Sequence, residues 1–488
     1  MLTDSKISDI ARLRAACALS TWYDDQGDRT RALSMLDAVA EAPADISLTK
    51  DRIIRQAVLL EAMGKREQAV QAIESLPEPA SLYSDTLLVR ANLAPNDGAR
   101  LSRLNRIFER RGLAPLRRRD ATRPLSLDNI ETVEVDARIS DQGLVSVIMP
   151  AFNSSVTIET ALRSVLRQSY RNLEVVVVDD CSTDDTAAIV TRMAGTEPRL
   201  KLIVQDRNAG AYPARNRGLS VAQGAFVTTH DADDWSHPQK IEEQLRALAE
   251  TPRTMAAITH WARVRPPLTF TTNWRLSAEV IHWSHSSLLF RREVFDRLGG
   301  WDNVRVSADT EFIWRIESVY GKRSVVKLHK DVPLAFALDD DSSLTRAKLT
   351  HVSTSYYGLR HYYREISRYF LSQYPKGLPP EAKADKSEMI PLEMHSRDDV
   401  PVVVDLWLKG DFTRDSTAQK LRAQLKANKG KRIGVTHVID PANERDIPSY
   451  AAIFCNAFFE ALRAHKPRIV LPGVAVTAGL SIDLDSKA

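Results

Sequence analysis

Cysteine is scarce: Cys17, Cys181 and Cys455 are the only three in 488 residues, odd in number and far apart. Such usage gives neither a disulfide framework nor metal-ligand spacing, and it suits a reducing compartment. No run of about 18 apolar residues is present to span a bilayer. The start of the chain lacks the basic flank and apolar core of a signal peptide, so the expected location is cytoplasmic. A formal charge of +4 is small for this length and gives no argument for nucleic acid, which is not expected as a partner. What remains is an ordinary globular composition, 43% apolar and 27% charged, in a chain long enough for roughly three domains.

Residues 5 to about 113 show helical periodicity and a faint repeat. Its clearest copies run from Gly27 through Ala32 and Leu33 to Leu36, and from Gly64 through Ala69 and Val70 to Ile73, 37 residues apart. In each, glycine ends one helix and alanine lets the next approach closely. The pattern resembles a degenerate tetratricopeptide array, with a poor third copy near 91–107. It offers a docking surface for a protein partner or, equally, packing against the rest of the chain. Residues 100–123 hold nine arginines against Glu109 and Asp120. A solvated helix face is the ordinary explanation; the sharper one is peripheral contact with an anionic membrane or a lipid-linked diphosphate. The expected boundaries are a helical domain over 1–120 and a linker over 121–143.

From Leu144 strands alternate with helices, the pattern of a parallel sheet covered on both faces. The expected strands are 144–149, 173–178, 200–204 and 226–229. Polar clusters follow each, at the strand ends where ligands of open α/β sheets bind. They are Pro150-Ala-Phe-Asn153, Asp179-Asp180-Cys-Ser-Thr-Asp-Asp185, the run from Asn208 to Gly218 that contains Arg215, and His230-Asp-Ala-Asp-Asp-Trp235. In an extended chain Asp231 and Asp233 project to one side and reach one guest, while Asp234 points elsewhere. Carboxylates so close repel unless neutralised, which points to a hard cation such as Mg2+ or Mn2+. The plainer reading is that Asp234 or Ser236 caps the helix that Pro238 begins.

These motifs, in this order, resemble family 2 glycosyltransferases over residues 144 to about 350. The resemblance implies a GT-A fold, a mixed α/β sheet that binds a nucleotide sugar. It implies that Asp180 contacts the nucleobase, that Asp231 lies near ribose, diphosphate and metal, and that Asp233 binds the metal. Pro150, Ala151 and Asn153 would line the nucleotide pocket, with Arg215 in the donor pocket. On the acceptor side stand Trp301 and Asp302 in a Gly-Gly-Trp-Asp segment. A Glu-Asp pair should follow, its second acid the general base. Here it reads Ala308-Asp309, which keeps Asp309 as candidate base and leaves Glu311 to replace the missing acid in part. Asp309 also stands where a helix cap would. Asp339 to Thr345 reads either as a lid over the donor or as an ordinary loop.

The transferase domain is expected over 144–372, a linker over 373–400 and a small, partial Rossmann-like α/β domain over 401–488. In the last, three strands end the sheet and no Gly-x-Gly-x-x-Gly follows the first. The sequence thus reads as an inverting, metal-dependent transferase that moves sugar from a nucleotide-sugar donor, a UDP-sugar, to a glycan or lipid-linked acceptor. The rival is an inactive transferase-like scaffold that recruits partners through its helical repeats.

Overall fold

Glycine sets the turns of the N-terminal helices. Gly27 and Gly64 adopt φ of +80° and +75° after helices Asp9–Asp25 and Ile46–Ala62. That left-handed conformation suits glycine and ends each helix. Ala32 and Ala69, both fully buried, then let helices Arg29–Asp37 and Arg66–Glu74 pack closely on their partners. A third hairpin, Ser84–Asn92 with Asp97–Glu109, turns without a glycine; Asn96 caps its second helix by accepting from the Ala99 N–H at 2.9 Å. The computed structural model describes residues 7–40, 46–272, 278–339, 350–355, 358–395, 402–438, 453–471 and 474–486. The segment 340–345, the larger part of the expected lid, lies outside them.

The chain divides into two units, one of residues 1–209, 217–292 and 325–340, the other of 210–216, 293–324 and 341–488. In the first, a seven-stranded sheet runs in the order Val325–Lys327, Ala256–Ile258, Leu289–Arg291, Phe226–Thr229, Val145–Ala151, Leu173–Asp179, Leu200–Val204. Every pairing is parallel except those of Leu289–Arg291, which is antiparallel to both neighbours. The four strands expected from sequence are the four consecutive parallel ones. Leu173–Asp179 is buried along its whole length, as its continuous apolar run requires. Gly218 presses against the sheet: a Cβ there would lie 2.5 Å from Ile148 Cγ2.

A second sheet orders Thr269–Thr271, His260–Arg265, Pro333–Leu338 and Trp235–Ser236, with Ile281–Trp283 also paired to His260–Arg265. The helical hairpins lie on it. Ile54, Leu88, Ile107 and Phe108 share one apolar core with Val264, Phe270, Val280 and Phe336. Asn92 imitates a strand beside Phe270, donating to its carbonyl at 2.7 Å and accepting from its N–H at 2.9 Å. Asp85 accepts from the N–H groups of Val280 and Ile281 at 3.0 and 2.9 Å. Of the two roles open to the repeat, packing within the chain occupies this face. The stretch 121–143, read as a linker, holds strand Ile130–Thr132, antiparallel to Leu116–Arg118.

In the second unit, the stretch 373–400 forms helix Pro380–Met389 and a 3-10 turn at Leu392–Met394. Its charged composition reads as a linker because one of its buried positions is a lysine, Lys386. The C-terminal sheet has four parallel strands, ordered Arg468–Ile469, Ile433–His437, Val402–Gly410, Val476–Asp483. The first of these, Arg468–Ile469, is only two residues long. Val476–Asp483, which the sequence reading missed, completes the sheet; it is half exposed and interrupted by Gly479, so it lacks a buried strand's apolar run. The Tyr362 hydroxyl accepts from the His437 N–H at 2.7 Å, fixing this sheet to helix Leu359–Gln373.

Removing residues 1–113 should uncover the apolar face around Phe270 and Phe336 and give an aggregating, dye-binding product. A soluble truncated chain with unchanged melting, measured by light scattering and circular dichroism, would show that the hairpins are dispensable to the sheet.

Candidate active site

Two adjacent strand ends form the first part of the site. The Asp180 N–H donates to Ala151 O at 2.8 Å, continuing the parallel ladder of Val145–Ala151 and Leu173–Asp179. Beyond it the chain turns sharply on both sides: Asn153 and Cys181 have φ of 48° and 64°. Asparagine tolerates this conformation because its short side chain can bond locally. Asn153 Oδ1 accepts from the Thr183 N–H at 2.8 Å, and its own N–H donates to Ser182 Oγ at 2.9 Å. Asn153 thus clasps the two loops, between half-buried Pro150 with buried Ala151 and exposed solvent. Asp184 joins them: burial pushes its carboxyl up, but hydrogen bonds from Thr186 and Ser155 outweigh this and hold it at about 2.

Asp180 is buried, and its Oδ1 accepts from Gln205 Nε2 at 2.6 Å and from the Ala209 N–H at 2.8 Å. It therefore shapes the 205–209 loop as well as standing at the strand end.

The acidic cluster is a turn rather than the extended segment read from sequence. The Asp234 N–H donates to Asp231 O at 3.3 Å, and Ala232 and Asp233 form the corner. Asp231 and Asp233 are half-buried, while Asp234 is buried with its Oδ1 facing the Leu338 N–H at 3.3 Å. Burial, then the charges of Asp233 and Asp231, raises the Asp234 carboxyl well above the usual range. Neither Asp234 nor Ser236 caps the following helix, which begins at Lys240 with Gln239 at its N-cap. Sequence reasoning missed Lys240 and His230 behind this turn. Burial lowers the Lys240 ammonium to about 8 although Asp234 and Asp231 oppose the shift. Burial and Lys240 lower the His230 imidazole to about 3.

A hard cation fits this turn, whose half-buried side chains Asp231 and Asp233 offer carboxylate oxygens. Among the described residues no cluster of three or more metal-ligating side chains forms, so the remaining ligands would come from substrate.

Asp309 belongs to the second unit. Helix Ala308–Tyr320 has Ser307, with φ of 69°, at its N-cap, so the capping place considered for Asp309 is taken by another residue. Asp309 sits one residue into the first turn, half-buried, with Oδ1 accepting from the Thr310 N–H at 2.6 Å. Its backbone N–H donates to the Tyr212 hydroxyl, whose pKa is raised by burial and by the Asp309 charge. Arg215, buried, lies over the Tyr212 ring at 5.1 Å, so residues 212, 215 and 309 form one group.

Trp301 and Asp302 are not similarly open. Trp301 is buried against Phe312 at 5.1 Å. Asp302 accepts from Tyr363 Oη and Lys386 Nζ, each at 2.7 Å. Burial opposes its ionisation, but Lys386 and Arg315 prevail and hold the carboxyl well below the usual range. Glu311, read as a partial substitute for the missing acid, is buried between Lys386 at 2.8 Å and Arg315 at 2.7 Å. Its role is in this ion network.

Residues 146–304 match the model of Glycosyl transferase family 2. The chain contains a family 2 glycosyltransferase domain. Over 107 residues it is 41% identical to the putative teichuronic acid biosynthesis glycosyltransferase TuaG of Bacillus subtilis, covering 22% of this chain and 42% of that protein. Over 105 residues it is 40% identical to the UDP-Glc:alpha-D-GlcNAc-diphosphoundecaprenol beta-1,3-glucosyltransferase WfgD of Escherichia coli, covering 22% and 41%. The chain spans less than half the length of these curated relatives. The solved structure of S. aureus TarS 1-349 in complex with UDP-GlcNAc aligns at 20% identity and TM-score 0.36, over 51% of this chain and 70% of that one. Of the polar elements described, the strand-end loops and the acidic turn lie within the matched residues, and the helix start at Asp309 follows them in sequence.

Replacing Lys386 by methionine should destabilise the protein by roughly 3–5 kcal/mol, because Asp302 and Glu311 lose their shared cation while remaining in the fold. Urea unfolding followed by tryptophan fluorescence measures this; no shift in midpoint would mean that solvent already screens the pair.

Proposed function

We propose that this protein is an inverting, metal-dependent hexosyltransferase. It moves a sugar from a nucleotide sugar, a UDP-sugar, to a hydroxyl of a glycan or lipid-linked acceptor in bacterial surface polysaccharide synthesis, working in the cytoplasm or at the inner face of the membrane. The observation that carries the reading is the carboxylate turn Asp231–Asp234 at the end of a central parallel strand of a family 2 domain. The activities for which TuaG and WfgD are named support the substrate class. Among the described residues no helix is long and apolar enough to cross a membrane.

Asn153 and Asp180 would hold the nucleoside through the loops they brace, and Arg215 would give charge-assisted hydrogen bonds to diphosphate. A divalent cation on Asp233 and Asp231 would offset the charge that grows on the leaving diphosphate as the anomeric bond breaks. Asp309 would take the proton from the acceptor hydroxyl as its oxygen attacks the opposite face of the sugar, a contribution of roughly 100- to 10,000-fold. One displacement inverts the anomeric centre. The scaffold reading is disfavoured because a scaffold has no need of two half-buried carboxylates backed by a third that is buried.

Release of free nucleoside diphosphate from a panel of nucleotide sugars, with Mn2+ or Mg2+, tests the reading. Slow hydrolysis of one donor should be lost in Asp233→Ala. Asp309→Asn should keep donor binding by calorimetry and lose transfer by roughly 100-fold or more. A folded Asp309→Asn that binds donor poorly would reassign Asp309 to the donor side.

A further inference from the structure

A pocket of about 490 Å³ lies on the first unit: none of Asn153, Asp180, Asp231 and Asp233 lines it, although Trp235 and Ser236, which follow the acidic turn, do. One wall comes from the ribbon of strands Leu116–Arg118 and Ile130–Thr132, the other from helix Ile158–Leu166 and the turn after it. Five arginines line it, Arg117 and Arg119 from the first wall and Arg163, Arg167 and Arg171 from the second, against three carboxylates, Asp128, Glu131 and Glu134.

Four of the five arginines are ion-paired: Arg117 and Arg167 with Glu131, Arg171 with Glu134, and Arg163 with Glu159 on its own helix. Glu131, with its side chain only 11% exposed, accepts from both Arg117 and Arg167, fixing two guanidinium forks that remain mostly exposed. Arg119 is exposed and makes no ion pair among the described residues. Fixed forks suit phosphate oxygens, which accept two parallel N–H bonds at once. Buried Ser236, whose Oγ has no hydrogen-bond partner among the described residues, and buried Trp235 also line the pocket. The volume is far more than a bare phosphate fills and leaves room for a sugar ring beside the guanidiniums.

We propose that this pocket binds a phosphorylated sugar at a site separate from the donor. Its concavity argues against a flat membrane surface. So does the use of the other arginines of the run: Arg100, Arg103 and Arg110 donate to the carbonyls of Leu268, Arg90 and Leu82, and Arg111 pairs with Asp331. The site does not rest on the donor reading, and the test separates the two.

Calorimetry on the full-length chain carrying Asp233→Ala, which removes the donor metal ligand, uses glucose 1-phosphate, inorganic phosphate and glucose as probes. Glucose 1-phosphate should bind saturably, more tightly than either fragment, and adding Arg119→Ala with Arg163→Ala should weaken it roughly tenfold or more. Arg119→Glu alone, an exposed position, should weaken it with melting unchanged. Three results would overturn the proposal: no saturable binding up to about 10 mM, equal affinity for inorganic phosphate, or undiminished binding in the folded arginine variants. Binding to vesicles rich in anionic lipid without binding of glucose 1-phosphate would overturn it in favour of the membrane.

Discussion

Mutual repulsion among Asp231, Asp233 and Asp234 is the constraint around which the transferase sheet is arranged. Three carboxylates within four residues cannot all be ionised in a dry environment without compensation. The fold separates them. Asp234 is buried, with its carboxyl raised and turned toward the Leu338 N–H, while Asp231 and Asp233 keep access to solvent. Lys240, buried behind the turn, and half-buried Arg263 oppose their charge. The two half-buried carboxylates are therefore the ones left facing solvent.

The second constraint is coverage. The sheet that carries Trp235 and Phe336 beside this turn has an apolar face, and the helical hairpins cover it. The polar clasps of Asn92 and Asp85 satisfy backbone groups at Phe270, Val280 and Ile281 that would otherwise be left without partners under the helices. Phe108 stacks on His237 at 5.0 Å, and His237 Nε2 lies 3.0 Å from Ala114 O, so the last hairpin reaches the segment that immediately follows the acidic turn. The repeat region thus supports the chemistry-bearing turn from behind.

What was legible in the sequence follows from how local each signal is. The four central strands were readable because burial on both faces demands unbroken apolar runs, and the repeat because Gly27 and Gly64 mark the only conformation the turn admits. Helix Pro380–Met389 was not, because the partners of Lys386 lie about 75 residues or more earlier in the chain, at Asp302 and Glu311. Strand Val476–Asp483 was hidden for a related reason: pairing with Val402–Gly410, rather than its own apolarity, defines it. The same limit applies within the site. Side-chain alternation gave the right accessible pair, Asp231 and Asp233, from the wrong backbone, since the turn that places them is closed by a backbone bond that no residue pattern announces.

The departure at Ala308 illustrates how packing selects among acids. Ala308 is fully buried, so a carboxylate there would need a buried partner, whereas Asp309 beside it keeps part of its surface in solvent. The helix that carries Asp309 is fixed from its other side, where Glu311 and Arg315 join Lys386, Asp302 and Tyr363 from three separate segments. A base must be held within fractions of an ångström of its proton, and a half-exposed carboxylate on a free helix would not be. The buried ion network therefore serves position as well as stability: it holds the helix start in place while Asp309 keeps part of its surface in solvent.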